Sequence, residues 1–170
     1  MKRILPKVLV ICGQTATGKS DLAVMLAKKI NGEVISADSR QVYKGLNIGS
    51  GKITKKEMCG IPHYLLDVVH PKQIFSIAEY QTIAQQKIQE IIARGKTPII
   101  CGGTGFYIDA ITKGIVLPEV APNTVLRKKL ENKTTKELVY ILTKLDPARA
   151  KTVDIQNNVR LIRAIEIATA

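Results

Sequence analysis

The sequence has few cysteines and no apolar run long enough to span a bilayer. Its 170 residues include three cysteines, at positions 12, 59 and 101, and none of them forms a CxxC pair. The chain therefore predicts neither a disulfide framework nor a cysteine-rich metal site. Cys12 and Cys101 lie within apolar, strand-like runs, so we expect them to be buried hydrophobic side chains in a reducing, cytoplasmic compartment. Without a spanning segment, no membrane is expected among the partners.

Acidic residues are scarce beside basic ones. The chain carries 26 lysines and arginines against 14 aspartates and glutamates, a net charge of +12. Such an excess favours a polyanionic partner such as RNA or DNA, because binding releases the counterions of the phosphate backbone. The charge alone equally fits a basic soluble protein that binds no polyanion. At 170 residues, the chain is long enough for one α/β domain with a core and too short for two.

Short apolar runs alternate with helical patterns over the first two-thirds of the chain. The runs KVLVICG, EVISAD, HYLLDVV and TPIICGG predict four strands, the last buried on both faces. A helix that is capped by Ser76 and Glu79 and ended by Gly95 is predicted over SIAEYQTIAQQKIQEIIARG. An earlier helix is ended by Asn31 and Gly32. Its apolar stripe is predicted to consist of Leu22, Met25, Leu26, Lys29 and Ile30. This alternation predicts an α/β fold with a doubly wound parallel sheet.

The pattern changes after residue 116. Pro118 and Pro122 interrupt the chain, and the remaining segments have helical patterns, with a second capping box at Thr134 and Glu137. The predicted segments are an α/β core over residues 1–116, a small all-helical insertion over 117–150, and a helix over 151–170 that returns to the core, where the chain ends early.

The stretch GQTATGKS, between the first strand and its helix, matches the phosphate-binding pattern GxxxxGK[ST]. Its glycines let the backbone wrap an anion, and the N–H groups of the loop and of the helix N-terminus point toward that anion. Lys19 adds a positive charge, and the Ser20 hydroxyl is a candidate Mg²⁺ ligand. The residues predicted to bind the phosphates are Gly13, Gln14, Thr15, Ala16, Thr17, Gly18, Lys19 and Ser20. The loop alone does not distinguish ATP from another diphosphate.

Two further strands end in polar residues at the same edge of the predicted sheet, where ligands of parallel sheets bind. Asp38 follows the second strand, and three interpretations are open: a Mg²⁺ ligand through water, a proton acceptor, or a helix N-cap. Ser39, Arg40 and Gln41 come next, at the mouth of the cleft. Thr104 lies within CGGTGFY at the end of the fourth strand, and this segment is predicted to form a third wall of the same pocket.

Three other titratable residues carry weaker signals. His63 and His70 flank the third strand and are interpreted as structural. Asp67 is a second candidate carboxylate for a metal. The sequence therefore leaves open whether Asp38 or Asp67 organises the ion.

Five stretches occur in an order that resembles one known family. GQTATGKS, ADSRQVYKGLNIGSGK, PHYLLDVV, GGTGFYIDAI and DIQNNVRLIRAIE are similar to successive signatures of the bacterial isopentenyl-tRNA transferases, and together they span nearly the whole chain. The resemblance implies a P-loop NTPase-like fold. It also implies transfer of a dimethylallyl group from dimethylallyl diphosphate to N6 of adenosine 37, beside the anticodon, in tRNAs that read codons starting with U. The implied cofactor is Mg²⁺, and the implied partners are dimethylallyl diphosphate and the anticodon stem-loop of tRNA, bound by a monomer.

Positions that match the family's signatures acquire its roles by resemblance. Asp38 corresponds to the proposed general base and Thr104 to a residue that contacts the diphosphate bridge and the adenosine; with Lys19 they are the implied catalytic residues. The implied tRNA contacts are Asp38, Ser39, Arg40, Gln41, Thr104, Arg127, Gln156, Asn157, Asn158, Val159 and Arg160. Gln14 stands where the family usually has proline, and Asn47 where it usually has aspartate. The helical insertion is shorter than usual and members continue past the end of this chain, so the resemblance implies a fragment or a reduced protein.

Three other functions stay open from the sequence. An adenylate isopentenyltransferase shares the loop and the aspartate but prenylates free AMP, ADP or ATP. The basic helical region argues against it, because a free nucleotide needs no such surface. A small-molecule kinase would hold ATP in residues 13–20, and a non-catalytic RNA-binding remnant would use the basic helices alone.

Overall fold

The computed structural model describes residues 7–115, 118 and 120–170. These residues form two compact units, one within residues 1–116 and one within 117–170. The predicted domain boundary, between residues 116 and 117, falls outside the described residues. Among the described residues, no helix combines the length and the apolar character needed to cross a membrane.

The first unit is built on a four-stranded parallel sheet. Its strands are β1 (Leu9–Cys12), β2 (Gly32–Ser36), β3 (His63–Tyr64) and β4 (Thr97–Gly102). They lie in the order β1-β4-β2-β3, so β4 pairs with both β1 and β2. From its second residue onward β4 is buried. This interior position explains why TPIICGG is apolar throughout, as the sequence predicted.

Helices cover both faces of this sheet. They are α1 (Lys19–Ile30), α2 (Ile77–Ala93) and α3 (Gly105–Thr112). Helix α1 packs on the face that carries Val34 and Ile99. Helices α2 and α3 pack on the opposite face, which carries Ile35 and Ile100. The predicted doubly wound α/β fold is therefore confirmed.

Helix α1 buries a different face from the one predicted. The buried residues are Ala23, Val24 and Ala27. Leu22, Met25 and Ile30, from the predicted stripe, are each at least 40% exposed. Small side chains let the helix lie close to the strands: a Cβ on Gly32 would come within 3.3 Å of the α-carbon of Ala27. Close packing on alanine, rather than the number of large apolar residues, decides which face of α1 is buried.

The predicted strand HYLLDVV is mostly irregular. β3 contains only its first two residues, because Leu65 and Asp67 have φ of 60° and 55°, in the left-handed region that interrupts a strand. The chain then pairs again, and the N–H of Val68 donates to the carbonyl of Val42 over 2.8 Å. The prediction located the segment correctly and overestimated the length of the strand.

Of the two cysteines expected in the core, one is buried. Cys101 on β4 is 9% exposed, and burial raises the pKa of its thiol to about 11. Cys12 is exposed, because it ends β1 where the chain turns into the glycine-rich loop. The prediction for Cys12 was therefore wrong.

Both predicted capping boxes are present. The Ser76 hydroxyl accepts the backbone N–H of Glu79, and the Glu79 carboxylate accepts the N–H of Ser76 in return, at the start of α2. Thr134 and Glu137 make the same pair of bonds in the second unit. Gly95, with φ of 70°, follows α2 as the predicted stop. These signals involve residues close in sequence, which is why pattern alone predicted them.

The described residues of the second unit form helices and connecting turns. The helices are α4 (Thr124–Glu131), α5 (Thr135–Leu145), α6 (Pro147–Thr152) and α7 (Asn158–Ala168). Leu138 and Leu142 of α5 are buried in one core with Leu161 and Ile165 of α7. Within the segment 151–170, the buried apolar side chains belong to the core of the helical unit. The return of this segment to the α/β core stays a prediction.

Candidate active site

The phosphate-loop residues form a turn that leads into α1. Gly18 is the N-cap of this helix and has φ of 78°, a left-handed conformation that favours glycine. Ala16 also has a positive φ, of 63°. No side chain caps the start of α1, so the N–H groups of its first turn are available to an anion. The backbone is therefore shaped to surround a phosphate group.

The Lys19 side chain folds back over this turn. Its Nζ donates to the carbonyl oxygen of Gln14 and lies 3.5 Å from the Thr17 hydroxyl. That hydroxyl donates to the same carbonyl over 2.8 Å. Lys19 thus places a positive charge at the loop, which suits an anionic ligand.

Strands β2 and β4 bring their carboxyl ends together beside the loop. The N–H of Ala37 donates to the carbonyl of Cys101 over 2.8 Å, and the N–H of Thr104 donates to the carbonyl of Ala37 over 3.0 Å. Gly102 is required between them, because a Cβ at this position would clash with the Ala37 carbonyl. This glycine of CGGTG allows the two strand ends to approach each other.

Asp38 caps a turn that directly follows β2. Its Oδ1 accepts the N–H of Arg40 at 2.8 Å and that of Gln41 at 3.3 Å. Residues 39–41 form a turn and not a helix, so the helix N-cap interpretation was wrong. The two hydrogen bonds hold the carboxylate in one orientation at the end of the strand.

Thr104 joins the two strand ends through its hydroxyl. Its Oγ1 accepts the N–H of Ser39 at 2.9 Å and donates to the Ser39 hydroxyl at 3.3 Å. This side chain therefore anchors the turn that carries Asp38. As the sequence predicted, the ends of the second and fourth strands contribute to one site.

Two cavities open at this edge of the sheet. The loop cavity, of about 330 Å³, is lined by residues that include Lys19 and Ser20. The Thr104 cavity, of about 450 Å³, is lined by Thr104 together with loop residues. Both cavities are large enough for a small molecule. Thr15 and Asp38 line both of them, so Asp38 lies at their common border.

A metal ion would find few protein ligands at this site. Among the described residues, no group of three or more histidine, cysteine, aspartate or glutamate side chains is placed to hold one. Ser20 and Asp38 line the loop cavity, and so do Asp21 and Glu57. Mg²⁺ is commonly held by one or two side chains together with substrate phosphates and water. These residues therefore fit Mg²⁺ as an ion shared with a bound diphosphate.

Two other titratable candidates lie outside the lining of these cavities. The Asp67 carboxylate accepts the ammonium of Lys52 at 2.5 Å. Of the two predicted metal carboxylates, Asp38 lines the loop cavity and Asp67 does not. His63 places Nδ1 2.9 Å from the carbonyl of Ile61, and burial lowers the pKa of its imidazole, which fits a structural histidine.

The predicted tRNA-contact motif of the second unit begins before α7. Asn157 is the N-cap of α7, and its Oδ1 accepts the N–H of Arg160 at 3.2 Å. The Arg160 guanidinium lies 3.2 Å from Asp154 in a largely exposed pair. The other exposed residues of the motif are Gln156, Asn158 and Val159. The motif therefore presents side chains to solvent from a turn and the first turn of a helix.

Arg127, another implied tRNA contact, is held in an ion network around a buried carboxylate. Its Nε and Nη2 donate to the two carboxylate oxygens of Glu166 at 2.9 and 2.8 Å, and Arg163 pairs with the same carboxylate. The Glu166 side chain is 1% exposed, and its hydrogen bonds, that from Arg127 above all, lower its pKa to about 2. The network links α4 to α7, so Arg127 has a structural role within this unit.

Sequence reasoning missed Glu166. It lies within the largely apolar stretch IRAIEIA, where Arg163, three residues earlier, is the one partner nearby in sequence. The bidentate partner, Arg127, is 39 residues away. A single glutamate on the buried face of a helix was the available signal, because a buried carboxylate requires a cation.

Comparison with known proteins places the chain in a family. The model of the IPP transferase family matches residues 41–170. The tRNA dimethylallyltransferase of Anoxybacillus flavithermus is 46% identical over 161 residues, and that of Exiguobacterium sibiricum is 50% identical over 165 residues. The alignments cover 95% of this chain, and 52% and 53% of the two relatives. The chain therefore spans about half the length of the curated relatives it matches.

Solved structures show the same similarity. A full-length tRNA isopentenylpyrophosphate transferase from Bacillus halodurans is 41% identical with a TM-score of 0.67, over 97% of this chain and 56% of its own. A eukaryotic dimethylallyltransferase acting on tRNA is 34% identical with a TM-score of 0.83, over 96% of this chain and 41% of its own. Because the family model matches residues 41–170, which are most of the chain, the chain belongs to the IPP transferase family.

Proposed function

We propose that the chain transfers a dimethylallyl group from dimethylallyl diphosphate to N6 of the adenosine at tRNA position 37, beside the anticodon. The proposed tRNAs read codons that start with U. The observation that carries the proposal is the position of Asp38 at the border of the loop cavity and the Thr104 cavity. A carboxylate between two cavities fits a reaction in which one cavity holds the diphosphate donor and the other holds the amine acceptor.

The donor occupies the loop cavity in this proposal. Residues 13–20 hold its diphosphate through backbone N–H groups, and Lys19 balances the charge that develops as the carbon–oxygen bond breaks. Ser20, and Asp38 through water, would hold Mg²⁺ beside the diphosphate, where the ion would supply further charge stabilisation. A prenyl diphosphate thus takes the place that ATP has in a phosphate-loop kinase.

The acceptor adenine occupies the Thr104 cavity. Its N6 nitrogen attacks the allylic carbon of the donor, a carbon–nitrogen bond forms, and the diphosphate leaves with the electrons of the carbon–oxygen bond. The proton lost from N6 passes to the Asp38 carboxylate. Because Oδ1 of Asp38 is bound to the turn, Oδ2 is the oxygen expected to accept it. The adenine must leave the anticodon stack to reach this cavity.

The tRNA is proposed to bind through exposed basic and polar side chains. Arg40 lines the Thr104 cavity of the first unit. Exposed candidates in the second unit are Lys128, Lys129, Gln156, Asn158 and Arg160. The net charge of +12 supports a polyanionic substrate, and the names of the relatives support tRNA as that substrate.

We assign this activity to a monomer in the cytoplasm. The monomer is what the resemblance to the family implies. Cys12 and Cys59 are exposed free thiols, which are typical of a reducing compartment.

The test is a transfer assay with labelled dimethylallyl diphosphate and Mg²⁺. The acceptors are a tRNA with adenosine next to the anticodon, the same tRNA with guanosine at that position, and AMP. We expect label in the first tRNA alone. Label in AMP would indicate an adenylate isopentenyltransferase, and phosphoryl transfer from ATP without prenyl transfer would indicate a kinase. RNA binding without transfer of either kind would indicate a non-catalytic RNA-binding protein.

A further inference from the structure

The charged side chain of Lys52 is buried next to the loop cavity. Its side chain is 5% exposed, and its ammonium donates to Oδ1 of Asp67 at 2.5 Å and to the carbonyl of Tyr43 at 2.7 Å. Removing an ammonium from water is costly unless the group is paired and hydrogen-bonded. A carboxylate and a backbone carbonyl offset that cost here, so the position of Lys52 is closely specified.

The backbone on either side of Lys52 forms part of the loop cavity. Gly51 and Ile53 both line it, and Ile53 is the one large aliphatic side chain in that lining. Ile53 is itself 9% exposed. An aliphatic group at this position suits an apolar part of a ligand. The phosphate-loop residues that line the rest of the cavity suit its phosphate groups.

A second contact fixes the same segment. The side-chain amide of Gln41 donates to the carbonyls of Ser50 and Gly51 at 3.2 and 3.4 Å. These bonds are long and neutral, whereas the bond from Lys52 to its carboxylate is short and charged at both ends. The contact of Lys52 is therefore the stronger of the two.

Asp67 is fixed in turn to the segment that follows Asp38. Its N–H donates to the carbonyl of Gln41 over 3.1 Å, and the next residue, Val68, donates to the carbonyl of Val42 over 2.8 Å. The Lys52–Asp67 contact thus ties residues 51–53 to a segment that is already anchored at the site.

We propose that Lys52 and Asp67 are a positioning pair that holds residues 51–53 in place as a wall of the loop cavity. The inference rests on the proposed function: with the diphosphate in the phosphate loop, this wall meets the dimethylallyl group at Ile53. The pair touches no reacting atom. In this pair Asp67 positions the wall and is not a metal ligand. The pair affects the affinity for the dimethylallyl group more than the affinity for the diphosphate.

The test compares Lys52→Met and Asp67→Asn with a matched control, Lys96→Met. Lys96 also places its ammonium on a buried carboxylate, that of Glu33 at 2.6 Å, in the same unit but beside the first residue of β4. Calorimetric titration gives the affinities for dimethylallyl diphosphate and for inorganic diphosphate. Hydrogen exchange over residues 46–53 reports on the wall itself, and thermal melting verifies that each variant is folded at the titration temperature.

Both cavity variants are expected to bind dimethylallyl diphosphate roughly tenfold more weakly, with a much smaller change for inorganic diphosphate. Exchange over residues 46–53 should become faster in both. The double variant of Lys52 and Asp67 should lose no more than either single variant, because the two side chains act as one unit. Lys96→Met should lower the melting temperature without any of these effects.

Unchanged exchange over residues 46–53 in the cavity variants would overturn the proposal, and so would equal losses of affinity for the two ligands. A wild-type chain that binds neither ligand would contradict the proposed function instead. In that case the exchange comparison with Lys96→Met still decides whether Lys52 and Asp67 hold the wall.

Discussion

Charged residues have different roles in the two units. In the α/β unit, Lys19 and Asp38 border a cavity that can take a ligand. In the helical unit, Arg127 and Arg163 are bound to one buried carboxylate, that of Glu166. Both sets lie in regions that resemble one family. The comparison teaches that such regions contain chemical and structural residues together, and that the surroundings of each side chain separate the two.

The difference follows from the architecture of each unit. Parallel strands end at one edge of a sheet, where turns leave side chains such as Asp38 outside the core. Helices pack through their sides, and a charged residue on a packed side needs partners from a neighbouring segment. Glu166 obtains them from Arg127 and from the N–H of Asn123, which donates to its carboxylate over 2.6 Å.

Asp38→Asn tests the chemical side of this comparison and should have the largest effect. The amide oxygen can still accept the hydrogen bonds of the turn, but the side chain no longer takes the proton from N6. We expect the rate of dimethylallyl transfer to tRNA to fall on the order of a thousandfold, with affinity for inorganic diphosphate retained. Single-turnover transfer and calorimetric titration measure the two quantities.

Asp109→Asn is the matched control for this variant. Asp109 forms a surface pair with Lys113 at 2.9 Å on α3, so its replacement should leave transfer unchanged. Full turnover in Asp38→Asn would show that another group accepts the proton.

Glu166→Gln tests the structural side. Removal of the carboxylate charge leaves Arg127 and Arg163 without their anion. Because both arginine side chains are about one-third exposed, the helical unit should lose about 3 kcal/mol of unfolding free energy. Urea denaturation followed by circular dichroism measures the loss. Glu131→Gln, an exposed change on α4, should cost little. A stable Glu166→Gln variant that fails to bind tRNA would instead show that Glu166 serves RNA binding and not stability.

Acid should destabilise the helical unit through the same carboxylate. The pKa of Glu166 is about 2 in the folded chain, against 4.5 for an ordinary glutamate. Because the folded-state pKa is the lower one, the stabilisation is present above pH 4.5 and is lost as the pH falls toward 2. The shift corresponds to about 3 kcal/mol. Denaturation over this pH range should show the loss in the wild-type chain and a flatter profile in Glu166→Gln.

Lys128→Ala should have the smallest effect. Lys128 is exposed on α4, next to Arg127, which pairs with the buried Glu166 carboxylate. If it meets a tRNA phosphate, its loss should reduce the slope of log affinity against log salt concentration by about one. Filter binding of tRNA over a salt series measures the slope. An unchanged slope would show that this lysine makes no phosphate contact, and that the helical unit's exposed charges are not all used for RNA.

The sequence predicted the features whose signals are local. The phosphate loop, both capping boxes and the strand TPIICGG required only neighbouring residues to be recognised. The prediction of the buried face of α1 was wrong. Whether Ala23 and Ala27 or Leu22 and Met25 are buried depends on how closely the helix approaches the sheet. The length of β3 was also predicted wrongly, since Leu65, the first of its two left-handed positions, is a residue type that gives no signal for that conformation.

The same difference between local signals and tertiary contacts applies to the candidate site. The ends of the second and fourth strands pointed to Asp38 and Thr104, because the edge of a parallel sheet follows from topology alone. The pairing of Lys52 with Asp67 and that of Glu166 with Arg127 are tertiary contacts between residues far apart in sequence. Such pairs have no pattern within one segment, so their roles became visible only from the distances in the structure.

The central claim is that residues 13–20 bind a prenyl diphosphate and not ATP. The most direct measurement is calorimetric titration of the chain with dimethylallyl diphosphate and, separately, with ATP, each with Mg²⁺ and each followed by displacement with inorganic diphosphate. The account predicts tighter binding of dimethylallyl diphosphate, displaced by inorganic diphosphate, because the loop holds its phosphates and Ile53 lines the same cavity. Tighter binding of ATP, with its terminal phosphate transferred to an acceptor, would contradict it.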